Sequence, residues 1–248
     1  MEKSEYTRMY TLETSFWWYR VLHELVETTI QKQKPKGKIR ILDAGCGTGR
    51  MMEICQKYGK VEGIDYSTDA VDYARKRGLD NVHLGDLNEV QLQPGSYDII
   101  VSLDVLYHAA IKNDKAILEK FHDGLKEGGL LIINLPAFDY LKRSHDIVVH
   151  AKKRYRRKAF EKELKEAGFC NLHSSYRMPL LYFIILITKI FHPKPGAQDS
   201  ESDLKEIPRW LNRLLLSMGR AENWLIRRGI PLPVGSSLFV VAKKPVLG

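Results

Sequence analysis

The spacing of hydrophobic positions changes several times along the chain. Over residues 14–33 apolar side chains recur at helical spacing behind an aromatic run, and Pro35-Lys36-Gly37 stops the pattern, which predicts an N-terminal helix. Short apolar runs and helical stretches then alternate. Residues 39–43, 60–65, 82–85, 97–103 and 130–135 read as strands, with helices predicted at about 50–58, Thr68–Lys76 and about 113–125. The segment YDIIVSL at Tyr97–Leu103 is apolar nearly throughout, as a strand buried on both faces is. Strands that alternate with helices predict an α/β fold built on a doubly wound, mostly parallel sheet.

After residue 136 the pattern breaks. A polar, basic segment runs to about Lys158, and a helix then ends at Gly168. Residues 170–176 and Ser237–Lys243 read as two last strands, separated by about sixty residues with helical signals of their own, too many for a simple loop. The expected organisation is one domain made of residues 1–178 and 236–248, with a helical cap, 179–235, inserted between its last two strands. A length of 248 residues suits that arrangement.

Composition narrows the picture. With 28% charged and 44% hydrophobic residues the chain is neither disordered nor collagenous nor a coiled coil. Three cysteines without a CxxC pair argue against a disulfide framework or a Cys-type zinc site and for a reducing compartment. The N-terminus lacks a signal-peptide core, and the most apolar stretch, 180–191, is interrupted by Lys189 and is shorter than the roughly 20 residues a membrane span needs. A cytoplasmic protein is expected, with peripheral attachment to a membrane left open. The net charge of +9 admits nucleic acid, an anionic membrane surface or an anionic substrate as partner.

The strongest motif is Asp43-Ala44-Gly45-Cys46-Gly47-Thr48-Gly49, set between the first strand and the next helix, where doubly wound folds bind ligands. Its GxGxG spacing differs from the dinucleotide GxGxxG, because Arg50 stands where the third glycine would be. No Gly-Lys-Ser/Thr ending follows, so a P-loop is disfavoured as well. Asp65 ends the second strand, where a carboxylate can accept from two ribose hydroxyls, and Asp86 ends the third, where it can accept from a purine amine. Either alone reads more commonly as a strand-end or helix-capping residue. Three such features at consecutive strand ends point to a nucleoside ligand.

The runs DAGCGTG, EGIDYS, LGDL and YDIIVSLDVLYH together resemble the class I S-adenosylmethionine (SAM)-dependent methyltransferases, in particular the small-molecule group, over residues 39–135. The resemblance implies a Rossmann-like sheet of seven strands with an antiparallel last hairpin. It implies SAM as cofactor, S-adenosylhomocysteine as product, and transfer of a methyl group as the activity. It places Asp43, Ala44, Gly45, Cys46, Gly47 and Gly49 along the methionine part of SAM. Asp65, followed by Tyr66, would hold the ribose, Asp86 and Leu87 the adenine, and Ser102 and Leu103 would lie under the methyl group. In similar enzymes an N-terminal helix closes over the cofactor, which nominates Tyr19 and Arg20 from the Phe16-Trp17-Trp18-Tyr19-Arg20 run.

A hydroxyl acceptor would benefit from a general base, most often histidine. His150, then His108, then His145 are the candidates, and each also reads as a structural or exposed residue. The stretch around His150 loosely resembles the ubiquinone-pathway O-methyltransferases. Asp104 and His108 are four apart but lack a third ligand, so no metal is expected. Much of the positive charge lies in 152–158, beside the expected acceptor mouth. Arg209, Arg213, Arg220 and Arg227 fall within about 40° on one helix face, opposite Trp210, Leu214, Met218, Ala221 and Leu225, the face expected to pack inward. The sharper alternative joins that helix to the 180–191 stretch as a surface for anionic lipid. The Asn/Asp-Pro-Pro-aromatic run of nucleic-acid amino-methyltransferases is missing after the fourth strand, which reads Ser102-Leu103-Asp104-Val105. The expectation is O-methylation of a small or lipid-like acceptor, ahead of RNA methylation and of a non-catalytic SAM-binding subunit.

Overall fold

The structure, a computed structural model, describes residues 3–191 and 207–246. In chain order the elements are α1 (Lys3–Leu12), α2 (Trp17–Gln33), β1 (Ile39–Ala44), α3 (Arg50–Cys55), β2 (Gly59–Asp65), α4 (Thr68–Lys76), β3 (Val82–Leu84), β4 (Tyr97–Leu103), α5 (Asp114–Gly124) and β5 (Leu125–Pro136). A single turn of 3-10 helix at Asp139–Leu141 leads to α6 (Ser144–Val148), α7 (Arg157–Glu166), β6 (Cys170–Arg177), α8 (Pro179–Phe191), α9 (Arg209–Arg227) and β7 (Ser237–Lys243).

The seven strands form one sheet in the order β3-β2-β1-β4-β5-β7-β6, parallel except for β7, which runs antiparallel to both neighbours. This is the Rossmann-like methyltransferase architecture expected above, with α8 and α9 between the last two strands. Alternating residues of each central strand feed two cores. Leu42, Ile100, Leu131 and Ile133 face α5 and α7, while Ile41, Ile99, Leu130 and Ile132 face α2, α3 and α4. Burial on both faces is why these strands read as continuous apolar runs. The strand order reverses between β1 and β4, which opens a crevice at their carboxyl ends.

Four expectations are corrected. The N-terminal helix begins at Trp17, and a separate α1 precedes it. That helix escaped detection because it buries Glu5 and Tyr6 in place of an apolar stripe. The polar segment after β5 holds α6, a turn that buries Asp146 in place of an apolar side chain. Strand β5 starts at Leu125 rather than at Leu130, with Gly128-Gly129 carried as an irregularity of the ladder.

The fourth correction concerns α9. Trp210, Leu214 and Met218, expected to pack inward, are exposed, and the buried side is Leu216, Gly219, Asn223 and Ile226. The cause is the chemistry of α2, which offers backbone polar groups at its first turns. Asn212 Oδ1 accepts from Trp17 N at 2.9 Å, and Asn223 Nδ2 donates to Val21 O at 2.8 Å. Gly219 lets the helices touch: a Cβ there would stand 2.5 Å from Val21 Cγ2. Of the expected cap, 192–206 lies outside the described residues.

Candidate active site

The glycine turn leaves β1 at the crevice. Gly45 (φ 83°) and Gly49 (φ 85°) take left-handed backbone that favours glycine, and both sit where a side chain has no room. A Cβ on Gly45 would lie 2.3 Å from Val105 Cγ2, and one on Gly49 2.4 Å from Leu79 Cδ1. The turn thus packs against the segment after β4 on one side and α4 on the other.

Asp43 ends β1 beneath this turn. Met52 donates a backbone hydrogen bond to it, while its Oδ2 is buried with no hydrogen-bond partner among the described residues. Burial, then the nearby charges of Asp65 and Glu13, pushes its carboxyl up to about 8. Asp65 accepts from Gly47 N at 2.8 Å and Ser67 N at 3.0 Å, and burial raises its pKa. Asp86 Oδ1 accepts from Asn88 N at 2.8 Å and Nδ2 at 2.6 Å.

All three carboxylates line one cavity of about 540 Å³. Tyr19, Gly45, Cys46, Gly47, Tyr66, Leu87 and Leu103 line it too. Four of the residues nominated for the cofactor do not. Ala44 is fully buried within the sheet, Gly49 packs on Leu79 and Ala74, and Ser102 Oγ donates to Ala44 O at 3.0 Å. Arg20 turns to Glu24, at 3.7 Å.

The roof over the turn is more extensive than the sequence suggested. Tyr6 and Met9 of α1 line the cavity beside Trp17, Trp18 and His23 of α2. Glu13, between the two helices, is buried and accepts from both Thr48 Oγ1 and Arg77 Nη2. Arg77 also donates to Thr48 O at 2.8 Å and Tyr10 O at 3.2 Å, and its guanidinium lies 4.4 Å over the Tyr10 ring. This clamp ties the roof to the glycine turn. His23 is held neutral, since burial, reinforced by neighbouring arginines, lowers its pKa to about 3.

Beyond Leu103 the cavity changes character. Asp104 has a left-handed backbone (φ 55°) that an Asp tolerates at a cost. Both its oxygens accept from Asn134 Nδ2, at 3.0 and 3.1 Å. Asn134 Oδ1 in turn accepts from Nη1 of the fully buried Arg177 at 3.1 Å. Burial pushes the Asp104 carboxyl up to about 7, against the pull of Asn134 and Arg177. In the sequence Asp104 reads only as half of a metal pair with His108. The usable signal was an acid directly after β4 facing an Asn late in β5.

Of the three nominated histidines, His108 and His145 line the cavity. His108 Nε2 lies 3.4 Å from Tyr66 Oη, and burial lowers its pKa to about 4. His150 is exposed and stands outside the lining, its ring 5.8 Å from that of His108. The wall beyond is apolar, with Leu181 and Ile185 of α8 and Leu215 of α9. The basic run 152–158 is largely answered within the protein: Arg154 binds Asp146 through two 2.8 Å hydrogen bonds, and Lys152 and Lys153 both reach Asp114. Among the described residues no group of three or more His, Cys, Asp or Glu side chains is placed to hold a metal ion, and no helix is long and apolar enough to cross a membrane.

A glycine turn, an unpaired buried carboxylate oxygen and two further strand-end acids suit a ligand that combines a cation, a ribose and a purine. Residues 42–133 match a methyltransferase domain family. Over those residues the match is to the class I SAM-dependent methyltransferases. The chain is 31% identical over 119 residues to "Probable tRNA methyltransferase 9B" of Homo sapiens, covering 48% of this chain and 25% of that protein. It is 29% identical over 136 residues to a ubiquinone biosynthesis O-methyltransferase of Xylella fastidiosa (strain 9a5c), covering 49% and 54%. The match thus spans a quarter to about half the length of these curated relatives.

Two solved structures share the methyltransferase fold. A Haemonchus contortus phosphoethanolamine N-methyltransferase 2, in complex with phosphomonomethylethanolamine and S-adenosylhomocysteine, aligns with a TM-score of 0.56 at 23% identity, covering 89% of this chain and 52% of that one. A chain of the complex between the Haloferax volcanii Trm112 methyltransferase activator and a methyltransferase aligns with a TM-score of 0.57 at 18% identity, covering 90% and 91%. The donor set at the crevice fits SAM.

Proposed function

We propose that the protein transfers a methyl group from SAM to a hydroxyl of a small or lipid-like acceptor. The observation that carries this is the continuity of one cavity, from the strand-end acids Asp43, Asp65 and Asp86, past Asp104, to the apolar wall of Leu181, Ile185 and Leu215. Asp43 and the Gly45–Gly47 backbone would hold the methionine end of the cofactor, Asp65 the ribose, and Asp86 with Leu87 the adenine. Tyr19 and the α1–α2 roof would exclude water. SAM supplies, when bound, a methyl group on a sulfonium, ready for in-line displacement.

Asp104 takes the hydroxyl proton in this reading. It stands beside Leu103 at the end of β4, its carboxylate is aimed by Asn134, and a pKa near 7 suits a base working at neutral pH. His145 and His108 face the acceptor from the same wall, and His150, outside the lining, steadies His108. A base titrating at about 7 can take the hydroxyl proton as the oxygen attacks the methyl group and S-adenosylhomocysteine leaves. The similarity to a ubiquinone biosynthesis O-methyltransferase agrees with this.

The test is SAM consumption with lipid extract, polar metabolites and total RNA as separate acceptors. Product in the lipid or metabolite arm is expected. Product in the RNA arm alone would replace this reading with the RNA one that the tRNA methyltransferase similarity suggests, and SAM binding without product in any arm would favour a non-catalytic subunit.

A further inference from the structure

Helices α8 and α9 each have two unlike sides. Their inner sides supply Leu181, Ile185 and Leu215 to the cavity wall. Their outer sides are apolar and not covered by any described residue: Phe183, Ile187 and Phe191 are 52, 54 and 74% exposed, and Trp210 and Leu214 are 68 and 51% exposed. At 100° per residue Phe183, Ile187 and Phe191 share one face of α8, and Trp210, Leu214 and Met218 share one face of α9. Exposed apolar side chains scattered singly are ordinary, but two helix faces of them bounding one cavity are not.

Among the described residues the unanswered charges beside these faces have one sign. Arg209 and Arg213 are exposed and make no ion pair with a described residue, and Arg227 and Arg228 stand at the far end of α9, with Arg228 stacked 3.9 Å over the Trp224 ring. The acids nearby are engaged elsewhere: Glu222 accepts from Met178 N at 2.9 Å, and Glu24 holds Arg220 through two hydrogen bonds of 2.8 and 2.7 Å. Helix α8 carries one ionisable side chain besides tyrosine, Lys189, whose amine donates to Tyr140 O at 2.7 Å.

From this pairing of uncovered apolar faces with an arginine margin we infer that the outer sides of α8 and α9 dock on an anionic phospholipid bilayer. The thirteen residues of α8 are too few to cross one. A helix that presents apolar side chains beside a row of arginines lies in the interface instead, and tryptophan is enriched at that depth. A second copy of the chain fits less well, because a two-fold contact would set the same arginine margins near each other with no unengaged acid among the described residues of the patch to answer them.

Docking brings the outer wall of the acceptor chamber against lipid, so an acceptor with a long apolar tail enters from the bilayer. That last step rests on the proposed function, whereas the docking itself does not.

The experiment is co-sedimentation of the full chain with vesicles of phosphatidylcholine alone, and of phosphatidylcholine with an equal part of phosphatidylglycerol, while tryptophan emission is recorded. The expected result is binding to the anionic vesicles roughly 10-fold or more above the neutral ones, weakened by salt, with a blue shift from Trp210 and Trp224. The pair Phe183→Asp and Ile187→Asp should abolish pelleting while SAM binding persists, which shows that the variant is folded. The pair Arg209→Glu and Arg213→Glu should remove the preference for anionic lipid. Failure of the wild-type chain to pellet with anionic vesicles overturns the inference. So does equal pelleting by the variants, or a dimer lost with Phe183 and Ile187 in a protein that ignores vesicles. Pelleting without SAM binding would leave docking standing and refute the methyl-transfer reading.

Discussion

Replacing Asp104 by Asn is expected to lower kcat about 100- to 10,000-fold, the range spanned by a positioned general base, with the KM for SAM little changed. The side chain keeps its size, so the loss reports the proton acceptor rather than packing. The wild-type pH profile supplies the second readout. A carboxyl raised to about 7 is protonated and idle below that pH and ionised above it, so kcat/KM should climb between about pH 6 and 8 and then level. Asp104→Asn should flatten that limb. A limb that survives in Asp104→Asn but vanishes in His145→Ala would move the proton to that histidine.

The second large effect has opposite signs for stability and binding. Burial raises the Asp43 carboxyl from 3.8 to about 8. The native state therefore holds this proton more tightly than the unfolded chain does. The stability it contributes is complete below about pH 4 and is lost as pH rises toward 8. Asp43→Asn removes the titration, so the ligand-free variant should melt higher than wild type at pH 8 and show a flatter dependence of Tm on pH. The same change deletes the buried carboxylate that would meet a cation, and SAM affinity should fall roughly 30-fold or more. Melting curves across pH, with and without SAM, check both halves. A variant that melts lower at pH 8 and binds SAM as tightly as wild type would refute this role for Asp43.

The sheet was legible because its residues obey a single rule. Each central strand is buried on both faces, so each appears as an apolar run, and the turns between them carry glycines at positions where Val105 or Leu79 excludes a side chain. The strand-end acids Asp43, Asp65 and Asp86 were legible for a related reason: their places in the chain fix their places at the crevice.

What stayed hidden depends on contacts distant in sequence. Nothing near Glu13 announces that Arg77 and Thr48 will bury it, and nothing near Asn134 announces that it will bridge Asp104 and Arg177. Periodicity identified α9 as two-sided yet gave the wrong side inward, because Asn212, Gly219 and Asn223 decide its seat on α2 by hydrogen bonding and close approach rather than by hydrophobicity. Arg20 looked like a cofactor ligand beside the aromatic run, but its helical neighbour Glu24 lies one turn away and takes it.

The central claim is that the crevice between β1 and β4 binds SAM, and calorimetric titration of SAM into the full chain tests it most directly. The account predicts saturable binding with one site per chain, together with loss of binding in an Asp65→Ala variant that remains folded by circular dichroism. A folded wild-type chain that takes up no SAM, or an Asp65→Ala variant that binds it unchanged, would contradict the account.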